Sequence, residues 1–208
     1  MGVSKFIFYN ILGWKIEGIF DKKIKKSVII VVPHTSWHDF FIGVFIRRIQ
    51  KIDIHFIAKS ELFKWPFGWY FRWMGGVSLD RTPGQNKVEA IAEIFKERDE
   101  FRLSLSPEGT RKKVSAWKTG YYYIALAAKV PIICVAFDYG RKTVVIHEEF
   151  YPTDDIELDT KKLRLKFKDV LGKVRAYSFM DESLEHDKES RQKKPFYKKE
   201  GETQNEIV

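Results

Sequence analysis

A histidine and an aspartate, four residues between them, stand in Pro33-His34-Thr35-Ser36-Trp37-His38-Asp39, directly after the apolar run Val28–Val32. Across a strand-to-helix turn, that spacing lets a carboxylate fold back and accept a hydrogen bond from one imidazole nitrogen. The other nitrogen is then a base, and no serine is needed if the substrate brings its own hydroxyl. A second cluster, Gly75-Gly76-Val77-Ser78-Leu79-Asp80-Arg81, ends a strand-like stretch on an arginine, a side chain suited to bidentate phosphate binding. A third, Ser106-Pro107-Glu108-Gly109-Thr110-Arg111, sets a carboxylate fit for hydroxyls beside an arginine fit for an anion, with Gly109 allowing close approach. The fourth, Lys129 to Ala136, places Pro131 at a strand start, where a missing N–H is tolerated. Taken singly, each has a bland reading: a structural histidine, a surface arginine paired with Asp80, an ordinary turn.

Alternating strands and helices must position these groups. Val28–Val32 reads as a strand buried on both faces, and Ile54–Ala58, Val77–Leu79, Arg102–Leu105, Pro131–Phe137 and Thr143–His147 as further strands. Between them lie helical patterns at Asp39–Lys51, Asn86–Arg98 and Thr119–Lys129, with a last one expected at Lys161–Val174. Val88, Ile91, Ala92, Ile94 and Phe95 form the inward face of the second. The pattern predicts an α/β fold, a single domain with a largely parallel central sheet flanked by helices and preceded by an amphipathic N-terminal helix. In such folds the ends of strands carry the site, and all four clusters follow or enter strands.

The chain divides into residues 1–26, 27–180 and 181–208. The first combines Phe6, Ile7, Asn10, Ile11 and Trp14 at helical spacing with Lys22, Lys23, Lys25 and Lys26, the composition of a segment that enters anionic lipid headgroups. The alternative is a helix packed on its own domain. The last stretch holds six of the 37 Lys/Arg and eight of the 28 Asp/Glu and is too polar to bury much surface. The remainder, with 31 basic against 20 acidic residues, carries +11 and suits an anionic partner. No nucleic-acid-binding motif accompanies that charge. The lone Cys134 excludes an internal disulfide and lies in an apolar run that reads as a buried strand. The five histidines give no metal-ligand spacing, no cleavable signal is recognisable, and no stretch approaches the roughly 20 apolar residues of a membrane span.

In order and spacing, the four clusters resemble the glycerolipid acyltransferases typified by 1-acyl-glycerol-3-phosphate acyltransferase. That family has a His-x4-Asp box, a Gly-rich strand ending in Asp-Arg, a Pro-Glu-Gly-Thr-Arg box and a Val-Pro-Ile-Ile strand; Ala58–Trp69 is similar to its lysine-bearing segment. The resemblance covers roughly residues 28 to 138. It implies His34 as general base and Asp39 as its partner. Arg81, Glu108, Gly109, Thr110 and Arg111 would bind the glycerol-phosphate end of an acceptor, with Lys59 and Lys118 as further phosphate contacts. It implies no bound cofactor or metal: the acyl donor, acyl-CoA or acyl-carrier protein, is a substrate. The expected partners are a lysophospholipid acceptor, an anionic membrane surface and acyl-carrier protein. The expected location is peripheral, on the cytoplasmic face of the membrane. Ser106 replaces the family's usual Phe and Cys134 a frequent Pro, so another lyso-lipid, such as an aminolipid, is an alternative acceptor. A hydrolase using the same pair, against which stands the lack of a Gly-x-Ser-x-Gly elbow, and a non-catalytic lipid-binding module are the other readings.

Overall fold

The structure, a computed structural model, describes residues 2–66, 68–79 and 86–179. In chain order these form α1 (Val3–Phe6) with a π-helical continuation over Ile7–Ile11, β1 (Lys15–Glu17), β2 (Lys26–Val32), α2 (His38–Gln50) and β3 (His55–Lys59). A 3-10 turn (Ser60–Phe63), α3 (Gly68–Trp73), β4 (Gly76–Leu79), α4 (Lys87–Glu97), β5 (Phe101–Leu105) and α5 (Gly120–Ala128) follow. The described chain closes with β6 (Ile132–Asp138), β7 (Thr143–Phe150), α6 (Ile156–Leu165) and a 3-10 turn (Arg175–Tyr177).

The strands form a seven-stranded sheet in the order β1-β7-β6-β2-β5-β3-β4. β2 lies inside it, parallel to β6 and β5, with Ile30 opposite Cys134 on one side and Leu105 on the other. Only β6 and β7 pair antiparallel. Continuous apolar runs are what such inner strands require, because alternate side chains face two separate cores. Val28, Ile30, Val32, Ile132, Cys134 and Ala136 point to a core closed by α4, α5 and Leu163 of α6. Ile29, Ile133, Val135 and Phe137 point to the opposite core, closed by Ile42, Ile46 and Ile49 of α2 with Phe8 and Trp14. Each such side chain contributes about 1.5–3 kcal/mol on burial, so α2 is held firmly against the sheet.

The expected α/β architecture is therefore present, and α4 turns Ile91, Ala92 and Phe95 inward, with Asn86 capping it by accepting the Val88 N–H at 3.1 Å. Two expectations change in detail. The last helix starts five residues earlier than its pattern and ends at Leu165. Asp155 caps it at Leu158 N, and the buried Asp159 accepts from Tyr122 Oη, Thr153 N and Thr153 Oγ1, so polar bonds place its start. At the N-terminus, the apolar face of Phe6 and Ile11 is exposed, while Phe8 is buried against Phe45 and Trp14. Trp14, β1 and the buried Phe20 belong to the sheet domain. Cys134 is buried as expected, its thiol pushed up to about 12 by burial, which keeps it protonated and inert. No described helix is long and apolar enough to cross a membrane. The charged stretch 181–208 lies outside the described residues.

Candidate active site

Because β2, β3, β4 and β5 run parallel, their carboxyl ends meet at one edge of the sheet. The His34 box leaves the end of β2 there, and the Glu108 box leaves the end of β5. Lys59 closes β3 at the same edge, opposite Leu79 of β4. Arg81, two residues past β4, lies outside the described residues.

Asp39 sits in the first turn of α2, 3% exposed, and its carboxylate is bound on both oxygens. Oδ2 accepts from His34 Nδ1, from Thr35 N and from Ser36 N, each at 3.0 Å. Oδ1 accepts from the Tyr139 hydroxyl at 2.7 Å. An acceptor-only carboxylate on Nδ1 assigns the ring proton to Nδ1 and leaves the lone pair on Nε2. The His34 side chain keeps 32% exposure, so Nε2 is reachable. Ser36 Oγ accepts the His38 N–H and bonds the His38 ring at 2.9 Å, which occupies His38 locally and away from Asp39.

The two boxes are tied together. Glu108 is 2% exposed, and its Oε2 accepts the His34 main-chain N–H at 2.6 Å and the Ser106 hydroxyl at 3.4 Å. Burial raises the Glu108 pKa above the ordinary carboxylate range, and the His34 N–H partly offsets this. The carboxylate expected to reach substrate thus fixes the main chain of His34. Gly109 follows at φ +64°, and a Cβ there would stand 2.7 Å from Lys118 Nζ, so glycine is what lets the Lys118 ammonium lie over the turn. Lys118 is anchored through its N–H to the Pro107 carbonyl at 2.8 Å. Thr110 and Arg111 are exposed beside it. His34, Asp39, Glu108, Gly109 and Lys118 are therefore assembled as one site. No group of three or more metal-ligating side chains occurs among the described residues.

Tyr139 is the site residue that sequence reasoning missed. It follows β6 by one residue and lies 100 positions from Asp39, with no motif to mark it. Trp14 packs edge-on against its ring at 4.8 Å, and its N–H donates to the Leu171 carbonyl, so its position is fixed from two sides. Burial, followed by the bond to Asp39, raises the phenol pKa well above its ordinary value, so it stays a donor. Tyr139→Phe removes one of four bonds to the Asp39 carboxylate. It should cost about 0.5–1.5 kcal/mol of stability and lower turnover roughly 2- to 12-fold, measurable by thermal denaturation and steady-state rates.

An apolar cavity of about 250 Å³ opens beside His34. Phe20, Ile29, Val31, Phe40, Gly43 and Val44 line it from beneath α2, and Ser106 and Leu105 meet it at the strand edge. A cavity with a mainly apolar lining thus lies directly beside the imidazole of His34.

No curated protein matches the chain. Among solved structures, the crystal structure of the 1-acyl-sn-glycerophosphate (LPA) acyltransferase PlsC from Thermotoga maritima is similar, with a TM-score of 0.52 and 24% sequence identity over 78% of this chain and 73% of that one. At that identity the likeness speaks for the fold. The acyltransferase family model matches residues 15–138, more than half of the chain and a span that contains every box described above. The chain belongs to the acyltransferase family.

Proposed function

We propose that this protein transfers a fatty acyl group from an acyl thioester, acyl-CoA or acyl-carrier protein, to the hydroxyl of a lysophospholipid, with 1-acyl-glycerol-3-phosphate as the first choice of acceptor. The observation that carries the reading is the His34 Nδ1–Asp39 Oδ2 bond at 3.0 Å beside an apolar cavity. Nε2 takes the proton of the acceptor hydroxyl as its oxygen attacks the thioester carbonyl. The tetrahedral adduct collapses with loss of the thiolate, which recovers the proton from the imidazolium. The thioester is already activated, so positioning and proton transfer supply most of the catalysis. Thr110, Arg111, Lys118, Lys59 and Arg81 are assigned to the anionic end of the acceptor, with Gly109 giving the turn its close approach. Another lyso-lipid, such as an aminolipid, is the second choice of acceptor.

The acyl chain is assigned to the cavity under α2. Gly43 lines it, and nothing lies within 4 Å of where a Cβ on Gly43 would stand. Gly43→Leu should therefore fold normally and fill the slot. Losing contact with several methylenes at about 0.8 kcal/mol each, the long-chain donor should fall at least tenfold in kcat/KM against a short-chain one. Competition between donors of two lengths, read by mass spectrometry of the product, checks this. The acceptor is tested by offering lyso-lipids of different headgroups with acyl-CoA and acyl-carrier-protein donors and identifying the ester formed. An ester on a lysophospholipid bears the proposal out; free fatty acid as the sole product contradicts it.

A further inference from the structure

Tryptophan is mostly buried in folded domains. Of the six here, Trp14 and Trp117 are buried, while Trp37, Trp65, Trp69 and Trp73 are exposed by 58%, 93%, 69% and 58%. All four fall within 37 consecutive residues, on and beside α2 and α3. On α2, Trp37, Phe41 and Arg48 recur at intervals of four and seven, which puts them on one stripe of the helix. Trp37 and Phe41 touch edge to face at 5.4 Å. At the far end of that stripe the Arg48 guanidinium lies 5.2 Å over the Trp73 ring, and Arg47 Nη1 donates to the Trp73 carbonyl at 3.1 Å, which joins α3 to α2. Tyr70 stands between Trp69 and Trp73, 6.1 and 6.2 Å from their rings. Along another flank of α2, Phe45 touches the buried Phe8 of the N-terminal segment.

We propose that the face of Trp65, Trp69 and Trp73, with Arg48, Arg72 and Lys64, is the surface on which this protein docks to an anionic lipid bilayer. The assignment deepens the reading of the acceptor as a membrane lipid, and the surface meets, through Arg48, the C-terminal end of the helix whose first turn holds Asp39. The occupant is argued from chemistry. Tryptophan and tyrosine prefer the headgroup layer, where an apolar ring meets water through one polar atom. Arg48, Lys64 and Arg72 are exposed, Arg48 directly over the Trp73 ring, and the nearby Asp53 is bonded to Arg47. Rings interleaved with cations suit anionic headgroups, to which each Lys or Arg near the surface adds about 1 kcal/mol.

Trp65→Ser, Trp69→Ser and Trp73→Ser combined are tested against vesicles of equimolar phosphatidylglycerol and phosphatidylcholine by co-sedimentation. Partition should fall at least tenfold, and activity on vesicle-borne acceptor should fall with it. Activity on a short-chain acceptor dissolved as monomers should stay within about twofold, with an unchanged melting curve. Should the combined variant fail to fold, Trp65→Ser alone, at the most exposed ring, should still weaken partition, and tryptophan fluorescence should be quenched by brominated lipid in wild type. Unchanged partition in a folded variant overturns the surface. So does retained partition with a loss seen only for the acyl-carrier-protein donor, which assigns the face to a protein. If wild type acylates no lyso-lipid while the partition result holds, the proposed acceptor fails and the docking surface stands.

Discussion

His34→Ala should reduce acceptor-dependent thiol release by about 10²–10⁴-fold while leaving the protein folded. The rate falls because the alanine has no group to take the hydroxyl proton as the thioester is attacked. The fold survives because a third of the His34 side chain is exposed, and the bond it makes to Glu108 uses the main-chain N–H, which alanine keeps. Turnover and thermal denaturation measured on the same preparation separate the two effects. A large fall in turnover with a stability loss of only about 0.5–1.5 kcal/mol, from the lost bond to Asp39, is the expected pair of results. Activity within severalfold of wild type would remove His34 from the chemistry.

Asp39 should behave differently, because it is both partner to the base and a buried hub. In Asp39→Asn the amide oxygen can take the place of Oδ2 and the NH2 that of Oδ1, where the Tyr139 hydroxyl can turn to accept. Most hydrogen bonds survive, but the negative charge that steadies the imidazolium is gone. Turnover should drop about 10²–10⁴-fold with a stability loss of about 1–2 kcal/mol. Asp39→Ala leaves Thr35 N, Ser36 N and Tyr139 Oη without an acceptor and should cost about 3–5 kcal/mol, enough to lower the melting temperature visibly. The contrast is the test. Equal melting temperatures for the two variants would mean that Asp39 is not the hub drawn here.

The parts of the fold that were legible are those where local periodicity and tertiary need coincide. Val28–Val32 had to be buried on both faces, and the helix Asn86–Arg98 carried its own cap and stripe. The His34, Asp39 and Glu108 boxes were legible because each follows a strand and parallel strands end together. What could not be read was set by contacts between distant segments. Tyr139 reaches Asp39 across 100 residues. Asp159 draws the last helix to an earlier start through Tyr122 and Thr153. Of the N-terminal stripe Phe6, Ile7, Asn10, Ile11 and Trp14, only part faces outward: Phe6 and Ile11 are exposed, while Trp14 is buried with Phe8, which packs on Phe45. Glu108 reads in the sequence as a substrate contact, and its burial against the His34 N–H adds what sequence does not show, a bond that fixes the main chain at His34.

The central claim, that His34 and Asp39 direct an acyl group from a thioester onto a hydroxyl, is tested most directly by following thiol release with and without a lyso-lipid acceptor, while counting ester formed. The account predicts release only when acceptor is present, one ester for each thiol, and no free fatty acid. Release at the same rate without acceptor, with fatty acid as the product, would contradict it.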